Sequence, residues 1–305
     1  MSVEQVEVLV PIPILEKFSY LLPSQLKDNP PSPGSRVLVP FGKRNLVGVV
    51  WSTEKNNSMQ GRKLKHIKQV LDSKPLLDKE SLLLAEWASR YYHYPLGEVI
   101  SYFFPPPIRK GNEAKFAEIK YLELTTKGDF FNIEDLSRAP NQKKLVEILR
   151  EKSELSQRAV SAYGINTSSI NSLIDKGLVS RFVRELSPYK KEEPSILSTV
   201  KKKLNDEQKF AIDSIIKSEN QNKVFLLNGI TGSGKTEVYL QAIQKVVKNG
   251  KQALILIPEI GLAPQAEERF KHYFGERVLS FHSAKNDREK VDAWLGASKG
   301  LIDII

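Results

Sequence analysis

Eight consecutive residues could do the most definite chemistry in this sequence: Gly229-Ile230-Thr231-Gly232-Ser233-Gly234-Lys235-Thr236. They fit G-x-x-x-x-G-K-[ST], in which glycines let backbone N–H groups curl around phosphate oxygens at a helix start, where the helix dipole favours anions. Lys235 would neutralise charge on the β- and γ-phosphates, and Thr236 would offer an oxygen to Mg²⁺. The alternative is a plain Gly-rich turn, but from ordinary Gly usage a chance match arises on the order of once in a hundred chains of this length. The flanks also favour phosphate binding. Lys223-Val224-Phe225-Leu226-Leu227-Asn228 reads as an apolar strand before the motif, and 235–248 as a helix after it. ATP with Mg²⁺ is the expected ligand.

Hydrolysis would need more: an acid on a neighbouring strand to hold Mg²⁺, and another to orient water. Asp303 is the only acid in the late apolar run 300–305, and it reads as an ordinary strand residue because no second acid follows. His282 is tempting as a base, yet with no acid nearby in sequence a structural or coupling role is the better reading. Glu259 follows the strand 252–257 at the carboxyl edge of the expected sheet, where α/β proteins bind ligands, so a role near DNA or nucleotide stands beside a purely structural one.

The elements that must position these residues fall into three groups. Residues 1–109 begin with short β-branched runs at Val6–Val10, Arg36–Pro40 and Leu46–Trp51, separated by Pro- and Gly-rich turns, which predicts a small β-barrel-like domain. A helix follows over 78–93, with Asp78 as N-cap and Glu80 in its first turn. Residues 110–186 give three helices (from Asn141 to Arg150, one opened by Leu155-Ser156-Gln157, and from Ser168 to Lys176) and then a strand from Leu178 to Val183, a winged-helix α+β pattern. A charged linker spans 187–203. Residues 204–305 alternate apolar strands with helices (206–218, 235–248), predicting a parallel sheet buried on both faces in an incomplete RecA-like P-loop lobe. Such a lobe needs more strands than remain before Ile305, so the sequence is expected to stop inside its own domain.

Composition narrows the classes without choosing one. The chain has 305 residues, no Cys and a net charge of +10. A disulfide framework and thiolate metal sites are excluded. The start lacks a basic leader and no apolar run approaches ~18 residues, so a cytoplasmic protein without a membrane span is expected. Positive charge favours polyanion partners, but it is spread along the chain and not gathered into a tail. Arg36, Lys43, Arg44, Arg62, Lys63 and Lys65 are candidates for phosphate contacts. Lys201–Lys203 reads as solvated linker. Tyr91-Tyr92-His93-Tyr94 could stack on bases, but core packing is the first reading for these and for Trp51, Trp87 and Trp294.

Several stretches together resemble the primosomal protein N′ family, bacterial replication-restart helicases of superfamily 2. Leu204-Asn205-Asp206-Glu207-Gln208 is similar to the segment ahead of that family's ATP site. Gly229 to Leu240 resembles its motif I, and Leu256 to Gln265 its DNA-tracking motif Ia. His282-Ser283, Asp287-Arg288 and Trp294 match in order and spacing, as do Phe18-Ser19-Tyr20, Gly34 to Lys43 and Tyr91 to Gly97. The likeness covers essentially the whole chain.

The resemblance implies an ATP-dependent 3′-to-5′ DNA helicase whose N-terminal domain captures the 3′ end of a nascent strand. The end pocket would fall at Phe18, Ser19, Gly42 and Lys65: Phe18 to stack on a terminal base, Gly42 to let the backbone approach, Lys65 to meet a phosphate. The family has an acid where this chain has Ser19, which weakens 3′-hydroxyl selection by removing charge assistance. Gln208 joins residues 229–236 as a nucleotide contact, and Glu259 falls in the motif that tracks DNA. Implied partners are fork and single-stranded DNA, primosome proteins, single-strand-binding protein and loading factors for the replicative helicase, with the protein itself a monomer. The family's Asp-Glu-Glu-His, cysteine-rich zinc module and arginine finger do not occur in this sequence, so no zinc ligands are expected. This chain alone is expected to bind DNA and nucleotide without unwinding. The alternative is a non-catalytic module that binds fork ends. An unrelated P-loop enzyme such as a small kinase would leave the first 200 residues unexplained.

Overall fold

The computed structural model describes residues 5–53, 64–189, 204–230 and 232–305. The chain divides into two compact units, Met1–Ala114 together with Lys191–Ile305, and Lys115–Lys190.

In the first unit, β1 (Gln5–Leu9), β2 (Phe18–Leu21), β3 (Arg36–Phe41), β4 (Arg44–Ser52) and β5 (Gln69–Val70) form one antiparallel sheet in the order β2-β1-β4-β3-β5. Alternating β-branched residues supply its packed face: Val6, Val8, Val37, Val39 and Val50 are buried with Tyr20, Leu22 and Ile67. The segment 65–70 bonds to both edges. Leu21 N–H donates to Lys65 O, Ile67 N–H donates to Leu21 O, and β5 then pairs with β3. Both outer strands therefore have a backbone partner over part of their length.

Helix α1 (Lys79–Tyr92) starts as its sequence predicts, with the Asp78 carboxylate accepting from Ser81 N–H at 2.8 Å. Its exposed face is unexpected. Leu83, Leu84, Trp87, Tyr91 and Tyr92 all stand in solvent, Tyr91 at 64% and Tyr92 at 68% exposure, as do Tyr94 and Tyr102. The core reading of Trp87 and of the Tyr91–Tyr94 run is therefore corrected. The rings pack on one another instead, Trp87 stacked on Tyr91 at 5.0 Å and Tyr91 edge-on to Tyr92 at 4.9 Å. Short helices α2 (Leu96–Ser101) and α3 (Pro106–Arg109) complete this region.

The second unit is a three-stranded antiparallel sheet, β7-β6-β8, with helices on its packed face. In chain order it runs β6 (Ala117–Leu124), α4 (Thr126–Asp129), α5 (Pro140–Lys152), β7 (Glu154–Ser156), α6 (Gln157–Ala162), α7 (Thr167–Asp175) and β8 (Val179–Leu186). Leu122, Leu145, Leu149, Val160, Leu173 and Leu178 fill its core. The three longer helices and the strand after Gly177 agree with the sequence reading. Thr125, Ser156 and Asn166 cap α4, α6 and α7 through their side chains.

The rest of the first unit carries α8 (Asp206–Lys217), α9 (Lys235–Lys248), α10 (Ala263–Phe274) and α11 (Asp287–Ser298). The expected parallel sheet is only partly realised. Ala253 and Val278 each bridge Ile304 in parallel fashion, and the predicted strand 252–257 goes no further than its bonds to Asp303 and Ile305. The predicted strand 223–228 is a correction: it forms no ladder among the described residues, and Val224 and Leu226 are 92% exposed. An apolar run becomes a strand only when a neighbour accepts its backbone hydrogen bonds. Asp303 is buried and paired with Arg277 at 2.6 Å, the structural role its sequence context suggested.

Candidate nucleotide and DNA-end sites

The loop 229–234 is shaped for an anion. Gly232 and Gly234 have φ of +84° and +85°, and Gly234 caps α9, so Lys235 and Thr236 are its first two residues. These positive φ values turn successive N–H groups toward one point, and the helix N-terminus adds its dipole there. Lys235 Nζ donates to Gly229 O and, at 2.9 Å, to Ile230 O, so its ammonium lies inside the loop against carbonyls that a phosphate would displace. Thr231 lies outside the described residues.

Gln208 takes part through a different geometry from a simple ligand contact. Asn205 and Gln208 form a capping box at the start of α8: Asn205 Oδ1 accepts from Gln208 N–H, and Gln208 Oε1 accepts from Asn205 N–H. Gln208 Nε2 then donates to Ser233 O at 3.1 Å. The side chain thus fastens the loop to α8. Nearby Glu237 is buried, and its Oε2 finds no donor among the described residues. For Mg²⁺ the fit is partial. Thr236 stands at the helix start, but no group of three His, Cys, Asp or Glu side chains with metal-binding geometry occurs among the described residues, and Asp303 is held by Arg277.

Toward the N-terminus, Phe18 opens β2, and its ring meets Phe41 edge-on at 5.3 Å. Phe41 is followed by Gly42, in the turn between β3 and β4, where φ is +56° and an added Cβ would meet no atom within 4 Å. Lys65 is exposed and runs beside Leu21, three residues beyond Phe18. Phe18 and Gly42 are thus linked through Phe41, whereas the backbone contact of Lys65 is with Leu21, at the far end of β2 from Phe18. Ser19 differs: it is 9% exposed and lies across from Glu7, on the opposite face of β2 from the core residue Tyr20. Lys43 and Arg44 are exposed in and after the Gly42 turn.

Arg36 does not belong with them. Its guanidinium is buried and bonded to Asp72, Ile108 O and Asn112 O, so the phosphate-contact reading is corrected to an internal one. Arg62 and Lys63 lie outside the described residues, as do Lys201–Lys203. Trp51 is half-buried with Lys17 Nζ 4.9 Å over its ring, a cation beside the end residues that sequence reading missed. Glu259 is exposed at the rim of a cavity of about 440 Å³ that also reaches His282. His282 Nδ1 is buried there with no partner among the described residues.

Comparison with known families finds two matching regions. Residues 7–105 match the profile described as 3'DNA-binding domain (3'BD), and residues 201–299 match Type III restriction enzyme, res subunit. Replication restart protein PriA of Haemophilus influenzae is 32% identical over 311 residues, covering 100% of this chain and 41% of that protein. The Bacillus subtilis protein of the same name is 29% identical over 91% of this chain and 42% of its own length. That of Synechocystis is 40% identical over 136 residues, 44% of this chain. The chain spans about two fifths of the first two relatives. No described helix is long and apolar enough to cross a membrane.

Proposed function

Since the chain belongs to the replication restart protein PriA family, we propose that it supplies the DNA-end-binding and nucleotide-binding parts of an ATP-dependent 3′-to-5′ helicase of replication restart. The carrying observation is that one chain holds both a glycine loop of positive φ at the start of α9 and a sheet domain in which Phe18 packs on Phe41, with Gly42 next in the turn. In this reading the sheet domain is a small barrel, and the second unit is a winged helix.

At the nucleotide site, Lys235 exchanges the carbonyls of Gly229 and Ile230 for phosphate oxygens, and Gln208 holds the loop in place while it does so. Thr236 would ligate Mg²⁺, which supplies charge neutralisation on the phosphates when bound. At the DNA end, Phe18 stacks on the terminal base while Lys43, Arg44 and Lys65 meet the backbone, a term that weakens as salt rises. Fork DNA, the nascent 3′ end and single strands are the proposed ligands. Primosome proteins, single-strand-binding protein and helicase-loading factors are the proposed partners, with the chain itself monomeric. Glu259 and His282, at the carboxyl edge of the bridged segments, face the DNA path or couple it to nucleotide.

A second reading rests on the pairing of Asp303 with Arg277, which engages the one acid of the run 300–305 in a structural ion pair. On it the chain by itself binds fork ends and nucleotide but does not unwind, and zinc enters only through the longer relatives. Fluorescence anisotropy at fixed salt, with partial duplexes ending in 3′-hydroxyl or 3′-phosphate, tests the end site. Tighter binding to the 3′-hydroxyl is expected. Equal binding would leave only a basic, non-selective surface and remove Phe18, Ser19, Gly42 and Lys65 from the pocket.

A further inference from the structure

The face of α11 carries a contact that joins sequence-distant parts of the first unit. Trp294 Nε1–H donates to Phe103 O at 2.8 Å across 191 positions, and its ring lies 6.0 Å from that of Phe104. A half-buried indole N–H needs an acceptor, and here the acceptor is held ready. Arg109 donates to Ser101 O and to Phe104 O, pinning the turn that presents Phe103 O between them. Behind Phe104 lies the Arg36 guanidinium, 5.9 Å from its ring centre and itself bonded to Ile108 O in α3. Arg36 begins β3, and the same strand ends at Phe41, beside Gly42. One side chain of the P-loop domain therefore meets Phe103 and Phe104, and Phe104 in turn lies against Arg36 at the start of β3.

We infer that Trp294 is the anchor by which the N-terminal sheet domain docks on the P-loop domain, so that the two behave as one body in solution. Rigid docking has a functional consequence that rests on the reading proposed above. Two DNA-contacting surfaces held in fixed relation engage a branched DNA together, and the second contact forms at high effective concentration. Loosening the anchor removes that gain while leaving each separate surface intact.

The absence of native cysteine allows a clean test. Spin labels are placed on Lys68→Cys and Lys248→Cys, both at exposed positions, one in each domain, and the distance distribution is measured by double electron–electron resonance in the full chain. A single narrow distance is expected, broadening severalfold in Trp294→Ala. Trp294→Phe keeps a ring but no donor, and an intermediate width is expected; it carries the test alone if the alanine variant loses helical circular dichroism. A broad distribution in the unsubstituted chain, or an unchanged narrow one in both variants, overturns the inference. These readouts need no ligand, so they fail or succeed independently of DNA or nucleotide binding. Binding adds the functional arm: Trp294→Phe should weaken binding to forked DNA roughly 10-fold but to a short 3′-ended duplex less than 2-fold, and equal losses on both would overturn the docking role.

Discussion

Replacing Asp72 by Ala should destabilise the N-terminal domain severely without touching a DNA contact. The Arg36 and Asp72 side chains are 1% and 5% exposed. The carboxylate accepts from Arg36 Nε at 3.0 Å, from Nη2 at 2.7 Å and from the Arg36 backbone N–H at 2.8 Å. Its removal strands two guanidinium donors and one backbone donor away from water, while the charge remains buried. Breaking such a pair costs ~3–5 kcal/mol. At ~2–4 °C per kcal/mol for a body of this size, the melting temperature should fall by roughly 6–20 °C. Asp72→Asn keeps one acceptor and should fall less. The assay is thermal unfolding by circular dichroism, followed by DNA anisotropy at a temperature where each variant is folded. The folded Asp72→Ala chain should bind DNA as the unsubstituted chain does. A stability loss below ~1 kcal/mol, accompanied by weakened DNA binding, would mean that Arg36 reaches solvent phosphates, and the internal role assigned to it would be wrong.

Two further outcomes are expected. Gly234→Ala places a Cβ against Gln208 Nε2 at a φ of +85°, so nucleotide affinity should drop at least ~10-fold in a fluorescent-nucleotide titration, while DNA-end binding is kept. Asp78→Ala removes the cap of α1 and should cost about 1 kcal/mol in urea unfolding at neutral pH. The hydrogen bonds with Ser81 hold the Asp78 carboxyl below its ordinary value. That stabilisation is complete above the unfolded carboxylate pKa of about 3.9 and disappears as pH falls through the lower folded value, so the difference between variant and parent should close in strong acid.

Local chemistry was legible in the sequence. Asp78 caps α1, and the glycine loop before Lys235 leads straight into a helix, because each depends on residues within a few positions. The faces were not legible. Leu83, Trp87 and Tyr91 recur at helical spacing, which tells that they share a side of α1 but not whether anything covers that side. The run 223–228 shows the same gap between pattern and outcome. Its apolar residues suit a buried strand, yet strand formation is a property of pairs, and no described neighbour bonds to it.

Charge was the least readable quantity, for a reason that bears on the proposed DNA-end site. A cation in sequence reads as surface because burying it alone is prohibitive, and the exception requires a partner whose position only the fold reveals. Arg36 finds Asp72, 36 positions away, and Arg277 finds Asp303, 26 positions away. Both pairs are structural, so neither cation is available to a phosphate. Lys43, Arg44 and Lys65 are left exposed in the sheet domain, and Lys235 stands half-buried at the start of α9 against loop carbonyls. Net charge therefore overstates the capacity of this chain for polyanions, whereas position restores it. A few cations beside an aromatic ring or a helix start can select a strand end or a phosphate chain, which the same charges scattered over the surface could not do.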